Sequence, residues 1–384
     1  MKTGIIYLDH AAATPVDQRV ITVMLPYMTD NFYNPSSPYS PAVAVRREFE
    51  EAKHQLAIAI GGHAEGITMT AGATESINVL FSSMKGHVVT SSIEHHAVIA
   101  AAHQKQHTIV NVGNTGIVNP DDVRIAIKPD TVLVSIGLAN NELGTIQPLR
   151  AIAEVIRVER KQRQDNGNTT PIYLHSDASQ GVGQIDVNVA RLGIDALTVN
   201  AGKVYGPKQV ALLWTAPSVV IEPFIVGGGQ ENGIRSGTEN VAGTIGFALA
   251  LTLAVDHRKS ESARLYGLRE KLESRLMSEF PEAVLSGSAK KRLPGHLHIS
   301  FPGVDAERLI FGLEREGVMV ATGSACAANK GTRSHVLMAI GLEEDIADGS
   351  LRITLGRLSD DETIARAADI LVKVIKHEYS RGVV

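Results

Sequence analysis

Lys203 is the residue whose surroundings first suggest chemistry. It lies in Asn200-Ala-Gly-Lys-Val-Tyr-Gly-Pro207, a turn of mostly small residues, between apolar runs at 196–199 and 210–214 that are typical of buried strands. Such a lysine is either an ordinary solvated loop residue or an amine in a partly desolvated pocket, where the neutral, nucleophilic form is favoured. The turn alone is explained by an ordinary solvated loop lysine.

A second segment could bind an anion. Gly72-Ala-Thr-Glu-Ser76 offers small residues and two hydroxyls where a predicted strand meets a predicted helix. Backbone N–H groups and the positive end of the helix dipole at Ala73 and Thr74 suit a phosphate, although Thr74 could equally be an ordinary N-cap. No P-loop Lys-Ser/Thr follows and the glycines do not form GxGxxG, so nucleoside triphosphates and dinucleotides are disfavoured.

Asp177 follows a predicted strand at 172–175, where a buried carboxylate needs a partner. It could simply cap a turn, or it could be the counter-ion of a cationic ring nitrogen. Lys203, the phosphate site and Asp177 together provide an aldehyde anchor, an anion site and a pyridinium counter-ion. The combination meets the requirements of pyridoxal 5'-phosphate (PLP), which we predict as the cofactor.

Two further side chains could react. His95 follows a strand in Ser91-Ser-Ile-Glu-His95, where it could stack on a cofactor ring and move protons, or be only a polar residue at a helix start. Cys326 is the single cysteine, so neither an intramolecular disulfide nor a cysteine metal cluster is possible. The small residues around it favour a reachable thiolate, although free surface cysteines also occur.

The elements that must position these residues alternate between strand and helix. Short β-branched runs are separated by segments with helical periodicity from about residue 67 to 175. This alternation predicts an α/β domain with a mostly parallel sheet covered by helices. Ligands bind beyond the carboxyl ends of such strands, and the candidate residues above each follow a predicted strand.

The pattern changes after residue 240, where long helical stretches and short strands predict a second, smaller α+β domain. We therefore assign residues 16–255 to a large cofactor-binding domain, and residues 1–15 with 256–384 to the small domain. Ser359 and Glu362 form a predicted capping box for the last helix.

Composition excludes some classes of partner. The 384 residues include 37 Lys+Arg and 41 Asp+Glu, with a formal net charge of -4, so a nucleic-acid partner is not expected. The longest apolar stretch, 245–255, is too short to cross a bilayer, and no signal-peptide pattern or HExxH metal motif is present. We expect a soluble cytoplasmic protein with no membrane partner and no metal.

Ordered motifs along almost the whole chain match one family. They are Tyr7-Leu-Asp9, Ala12-Ala-Thr-Pro15, Asn34-Pro35, Gly72-Ala-Thr-Glu-Ser76, Glu94-His95, Asn140-Asn-Glu-Leu-Gly144, Asp177-Ala178, Gln180, Lys203-Val-Tyr-Gly-Pro207, Gly227-Gly-Gly229, Arg235-Ser-Gly-Thr238, Cys326 and Leu351-Arg-Ile-Thr-Leu-Gly-Arg357. With them the chain resembles the cysteine desulfurases of the PLP-dependent class V aminotransferase superfamily, which has the aspartate aminotransferase-like fold (fold type I). Thr322-Gly-Ser-Ala-Cys326 resembles the cysteine loop of the housekeeping and nitrogen-fixation type.

The resemblance implies how the cofactor is held. Lys203 would bind PLP covalently, Asp177 would pair with the pyridine nitrogen, and His95 would stack on the ring. The ring hydroxyl would be reached by Gln180 and Asn141. The phosphate would be held by Ala73, Thr74 and, from the second subunit of a homodimer, Thr238.

The resemblance also implies the reaction. The substrate carboxylate would be bound by Arg352 with Asn141 and Asn34, a task suited to a bidentate guanidinium. L-cysteine would lose its Cα proton to Lys203, and Cys326 would take the sulfur as a persulfide, leaving alanine. A sulfur-acceptor protein, in iron–sulfur cluster assembly or a thiolation pathway, would receive that sulfur.

The chain departs from the family beside the lysine. Most members read Ser-x-His-Lys, whereas this chain has Asn200-Ala-Gly-Lys203. The Asn200 amide can still donate to a phosphate, but the histidine at position 202 is absent. Each missing hydrogen bond is worth about 1 kcal/mol, so we expect looser PLP binding. The chain also ends soon after His377, short of the acceptor-docking tail of some relatives, which leaves the acceptor open.

Three functions remain compatible with the sequence: a cysteine desulfurase, a relative such as a selenocysteine lyase or class V aminotransferase, and a scaffold that binds PLP poorly. Cys326 favours the first, since an aminotransferase needs no such thiol. Lys203, Asp177, His95 and Arg352 together argue against a scaffold.

Overall fold

The computed structural model describes residues 4–323 and 333–381. Its strands are β1 (Ile6–Tyr7), β2 (Ile67–Thr70), β3 (His87–Ser91), β4 (His107–Val110), β5 (Thr131–Ser135), β6 (Tyr173–Asp177), β7 (Ala196–Asn200), β8 (Ala211–Thr215), β9 (Val284–Leu285), β10 (His296–Ser300), β11 (Val318–Met319) and β12 (Ser350–Thr354). Cys326 lies outside the described residues.

The helices surround these strands. They are α1 (Gln18–Met24), α2 (Ser40–Ile60), α3 (Ala73–Ser83), α4 (His96–His103), α5 (Pro120–Ala126), α6 (Leu149–Asp165), α7 (Val189–Leu192), α8 (Val241–Asp256), α9 (Arg258–Glu279), α10 (Ala306–Arg315), α11 (His335–Ala339), α12 (Glu344–Asp348) and α13 (Asp361–Arg381). Single 3-10 turns occur at Leu25–Met28, Ala64–Gly66, Ala201–Lys203 and Glu231–Gly233. Among these described helices, none is both long and apolar enough to cross a membrane.

Seven strands form the central sheet, in the order β2-β8-β7-β6-β5-β3-β4. The pairs β4–β3, β3–β5, β5–β6 and β6–β7 are parallel, whereas β8 is antiparallel to both β7 and β2. The inner strands are almost wholly buried because helices cover both faces, which accounts for their continuous apolar runs. The predicted α/β fold with a mostly parallel sheet is confirmed.

A smaller set of strands lies outside the central sheet. β12, β10 and β9 form an antiparallel sheet, and β1 pairs in parallel with β11. Most buried apolar side chains of residues 265–375 cluster with Ile6 and Leu8, separately from the cluster that spans residues 20–254. Those of Val336, Leu337, Ile340 and Ala347 instead cluster with Ile93 and Leu143. This distribution supports the proposed boundaries of 16–255 for the large domain and 1–15 with 256–384 for the small domain, which stay a prediction.

The cap predicted for the last helix is wrong by one residue. Asp360, not Ser359, caps α13: its Oδ1 accepts a hydrogen bond from Thr363 N at 2.8 Å, and Thr363 Oγ1 accepts one from Asp360 N at 2.9 Å. Ser359 Oγ instead accepts a hydrogen bond from Gly356 N at 3.2 Å. The preceding turn therefore uses the hydroxyl that the capping box would need.

Three histidines in the strands are buried in their neutral form. Burial lowers the pKa of His175 to about 4 and the pKa values of His296 and His298 to about 3. The unfolded chain protonates each near the ordinary value of about 6.5. The unfolded state therefore binds more protons below that pH, so these groups reduce the free energy of unfolding as the pH falls from about 6.5 toward the folded pKa. Glu94 has the opposite effect on the free energy of unfolding. Its pKa is raised to about 7, so just below that pH its carboxyl group binds a proton in the folded state but not in the unfolded state.

We expect His298→Leu to remove the proton that His298 takes up when the chain unfolds at acidic pH. Between about pH 6 and pH 4, the wild type should lose about 1.4 kcal/mol more per pH unit than the variant. Urea unfolding at successive pH values measures the difference. His54→Gln, on the exposed side of α2, is the control and should follow the wild type. Identical pH dependences for wild type and His298→Leu would contradict the assignment.

Candidate functional site

A cavity of about 310 Å³ lies beyond the carboxyl ends of the parallel strands. Nine of the predicted site residues line it: Ala73, Thr74, His95, Asn141, Asp177, Gln180, Asn200, Lys203 and Arg352. They come from the segments that follow β2, β3, β5, β6 and β7, and from β12. The order of strands in the sheet therefore gathers residues that are far apart in the sequence at one place.

A second cavity of about 270 Å³ lies on the other side of Lys203. It shares Ala11, Ser179, Gln180 and Lys203 with the first cavity. Asp177 and the start of α3 do not line it. Of the two cavities, only the first brings Lys203 together with Asp177 and the start of α3, so it is the candidate active site. The carboxylate of the second cavity is Glu261, in the first turn of α9.

Lys203 is held at the wall of this cavity. It ends the 3-10 turn that follows β7, and its Nζ donates hydrogen bonds to Ala11 O and Ala12 O, both at 2.7 Å. Asn200 caps the turn, because its Oδ1 accepts a hydrogen bond from Gly202 N at 2.9 Å. The Nδ2 group is then the part of the Asn200 amide that can donate to a ligand.

The N-terminus of α3 is the predicted anion site on the cavity wall. Gly72 is the N-cap and provides no side-chain hydrogen bond to the first turn, so the interpretation of Thr74 as the cap is wrong. Glu75 fixes the junction, since its Oε2 accepts a hydrogen bond from Ala71 N at 3.0 Å and its Oε1 pairs with Arg235 Nε at 2.8 Å. The N–H groups of an uncapped helix start suit a phosphate, as the sequence predicts.

Asp177 stands at the end of β6, and its Oδ1 accepts a hydrogen bond from Ser179 N at 2.9 Å. Two residues before it in the strand, His175 Nδ1 contacts Ser135 Oγ at 2.9 Å and His175 Nε2 contacts Thr198 Oγ1 at 3.0 Å. These contacts connect β6 to β5 and β7 near its carboxyl end. Asp177 therefore presents a carboxylate in a defined position on the cavity wall, as a pyridinium counter-ion requires.

His95 is the N-cap of α4 and its ring is accessible from the cavity. Its Nδ1 accepts a hydrogen bond from Ala97 N at 3.1 Å, so the proton of the neutral ring is on Nε2. Desolvation by the surrounding protein lowers the pKa of His95, and Lys203 lowers it further, while Asp177 opposes the shift. The ring is thus neutral at pH 7, which suits stacking and proton transfer.

Glu94 is a residue of the site to which the sequence assigns no role. Its buried carboxyl group accepts hydrogen bonds from Ser91 Oγ at 2.6 Å and from Gly137 N at 2.9 Å. Burial raises the pKa of Glu94 to about 7, and the charge of Asp177 adds to the shift. The sequence signals for Glu94 are the Glu94-His95 motif, which gives it no role, and its position three residues after Ser91, which also occurs in ordinary turns.

Arg352 is almost completely buried on β12. Its Nη2 pairs with Asp9 Oδ1 at 2.7 Å and its Nη1 donates to Asn141 O at 3.3 Å. Among the described atoms, its buried Nε has no hydrogen-bond partner. A guanidinium with donor capacity at a cavity wall suits a carboxylate ligand.

Two predicted residues do not line the cavity in the single chain. Asn34 is exposed in a loop, where its Oδ1 accepts a hydrogen bond from Ser36 N at 2.9 Å. Thr238 is exposed as well, which is compatible with a contact to another subunit. The roles assigned to Asn34, Thr238 and Cys326 stay predictions, as do the roles of the nine residues that line the cavity.

Gly202→His is expected to tighten PLP binding. A Cβ atom at Gly202 would lie 3.4 Å from Asn200 Oδ1 and 3.6 Å from Lys208 Cγ, which are ordinary contacts, so a Cβ atom fits at this position. One additional hydrogen bond to the phosphate is worth about 1 kcal/mol, or about fivefold in the dissociation constant, which equilibrium dialysis measures. Gly202→Ala adds no donor and is the control. Equal PLP retention by all three proteins would count against this account.

Three comparisons agree with this arrangement. Residues 6–366 match the family model described as class-V aminotransferase. The cysteine desulfurase IscS 1 of Archaeoglobus fulgidus is 40% identical over 382 residues, covering 96% of this chain and 97% of that protein. The cysteine desulfurase IscS of Dictyoglomus turgidum is 39% identical over 383 residues, covering 97% and 94%.

Solved structures are similar over the same length. A NifS-like protein superposes with a TM-score of 0.89 at 31% identity, covering 97% of this chain and 100% of the other. A NifS-like protein from Rickettsia africae gives a TM-score of 0.86 at 29% identity, covering 98% and 99%.

Proposed function

Because the chain belongs to the class-V aminotransferase family and, within it, to the cysteine desulfurases, we propose that it converts L-cysteine to L-alanine and takes up the sulfur on Cys326. One observation carries the proposal. Lys203, Asp177 and the uncapped start of α3 converge on a single cavity that Arg352 also lines. An amine, a carboxylate, an anion site and a guanidinium are together what PLP and an amino-acid substrate need.

The residues fit PLP at each of its functional groups. Lys203 would hold the aldehyde carbon, the N-terminus of α3 with Asn200 would hold the phosphate, and Asp177 would keep the ring nitrogen protonated. His95 would cover one ring face, and Gln180 would be within the same wall near the ring hydroxyl. When bound, PLP would supply an electron sink that weakens bonds at the Cα of an attached amino acid.

The chain's own side chains would then direct the reaction. Arg352 would bind the substrate carboxylate with its remaining donors, and Asn141 would add an amide beside it. The Lys203 amine, set free when the substrate amine takes its place, would remove the Cα proton and later return a proton. Neutral His95, with its proton on Nε2, is a further group on the cavity wall able to move protons.

The sulfur step balances without an oxidant or reductant. The Cys326 thiolate attacks the sulfur of the substrate, an S–S bond forms, and the C–S bond of the substrate breaks. The bonding electron pair remains on the substrate carbon, which takes up a proton and becomes the methyl group of alanine. The products are alanine and one persulfide on the protein, and an acceptor thiol or an added reductant can remove that sulfur.

We also propose a homodimer with a sulfur-acceptor protein as its partner. Large apolar side chains are exposed at Leu25, Met28 and Phe32 and again at 224–226, and a second copy would cover such surfaces. A dimer would also let Thr238 reach the phosphate site of the partner. The identity of the acceptor is not specified by these residues, and a cytoplasmic location is part of the proposal.

The test is a product balance. Purified protein with PLP, L-cysteine and dithiothreitol should release sulfide and alanine in equal amounts, and L-selenocysteine in a parallel reaction defines the preference for sulfur. Transfer of the amino group to a 2-oxo acid without sulfide would support an aminotransferase instead. A protein that cannot be loaded with PLP would support the scaffold alternative.

A further inference from the structure

In the described part of the chain, Asp9 is the one residue that forms an ion pair with Arg352, and the two side chains are closer than 3 Å. The segment that carries Asp9 is docked on the end of β12, since Thr354 N donates to Leu8 O at 2.8 Å and Asp9 forms a parallel bridge with Thr354. Tyr7 Oη donates to Asp9 O and to Ala13 O, both at 2.9 Å. The backbone at Asp9 is therefore fixed relative to Arg352.

The contacts of the guanidinium define its orientation. Nη2 is used by Asp9 and Nη1 by Asn141 O, whereas Nε has no partner among the described atoms. The Arg352 side chain is only 3% exposed and the Asp9 side chain 18%. A buried guanidinium needs a fixed acceptor to keep one rotamer, and a bidentate carboxylate contact depends on that rotamer.

We propose that Asp9 is a positioning residue for recognition of the substrate carboxylate. Its Oδ1 holds one edge of the Arg352 guanidinium, so that the remaining donors serve the carboxylate of an amino acid in the cavity. Asp9 acts through Arg352 and not on the reacting atoms. This inference rests on the proposed function, since it requires an amino-acid ligand.

Two substitutions of Asp9 distinguish its effect on the orientation of Arg352 from the effect of its negative charge. Asp9→Ala removes the acceptor, so Arg352 loses a charge-assisted hydrogen bond and can turn away from the ligand. Asp9→Asn removes the charge but keeps an oxygen acceptor of nearly the same shape. We expect at least about tenfold weaker carboxylate binding for Asp9→Ala and retention of most of the affinity for Asp9→Asn.

The experiment titrates PLP-loaded enzyme with L-alanine and follows the cofactor spectrum. Ethylamine, which lacks the carboxylate, is titrated in parallel. Asp9→Ala should raise the dissociation constant of L-alanine about tenfold or more and leave that of ethylamine unchanged, and KM for L-cysteine should rise more than kcat falls. Asp17→Ala is the matched control, since it removes another aspartate–arginine pair (Asp17 Oδ2 to Arg357 Nη1, 2.9 Å) outside the candidate cavity.

Four outcomes would overturn the proposal: wild-type affinity of Asp9→Ala for L-alanine, an equal loss for ethylamine, equally weak binding by Asp9→Asn and Asp9→Ala, or the same loss in Asp17→Ala. Thermal unfolding of each variant identifies a folding defect. The binding of L-alanine does not depend on Cys326. A wild type that binds L-alanine but releases no sulfide would therefore contradict the proposed function and leave the role of Asp9 standing.

Discussion

Lys203→Ala is expected to lower the rate of sulfide release from L-cysteine by at least about 10³-fold. In the proposed function the Lys203 amine has two tasks, namely covalent attachment of PLP and removal of the Cα proton. Its Nζ is held at the cavity wall by two backbone carbonyls, and no other lysine in the described part of the chain lines the cavity. Sulfide and alanine assays on PLP-supplemented protein measure the loss.

Lys208→Ala is the matched control for that variant. Lys208 belongs to the same loop, but its Nζ donates to Thr14 O at 3.1 Å and it does not line the cavity. It should retain most of the activity. A small added amine such as methylamine should restore part of the proton transfer in Lys203→Ala. Wild-type rates in Lys203→Ala without added amine would show that the cavity is not the reaction site.

Cys326→Ser is expected to reduce sulfide release to the background level, while the spectrum of bound PLP persists. A serine hydroxyl is a far weaker nucleophile toward sulfur than a thiolate, so the C–S bond of the substrate should stay intact. Addition of L-cysteine should still change the cofactor spectrum, because the proposed substrate contacts are those of Arg352 and Lys203 and do not involve Cys326. Wild-type sulfide release by this variant would refute the persulfide role.

The sequence predicts the fold and most of the cavity for a simple physical reason. The inner strands are buried on both faces, so each is a continuous apolar run in the sequence. These runs indicate where the strands end and which residues follow them. Parallel strands end at one edge of the sheet, which brings Asp177 and Lys203 to the same cavity. The residue types at those ends then indicate the cofactor.

What the sequence does not predict depends on contacts between distant segments. Asp9 and Arg352 are 343 positions apart, and their pairing requires the N-terminal segment to dock on β12. The raised pKa of Glu94 depends on its burial beside Gly137 and Asp177, which no local pattern records. At Ser359 a local pattern was present, but the preceding turn competes for the hydroxyl.

The most direct test of the central claim is a single turnover without reductant. PLP-loaded protein mixed with about one equivalent of L-cysteine per chain, which leaves no excess thiol to remove the sulfur, should form about one alanine per chain in a burst. Mass spectrometry should then find one additional sulfur atom on the peptide that contains Cys326. Dithiothreitol should remove that sulfur, and further L-cysteine should then be turned over. Alanine formation without sulfur on Cys326, or sulfur on the peptide without alanine, would contradict the account.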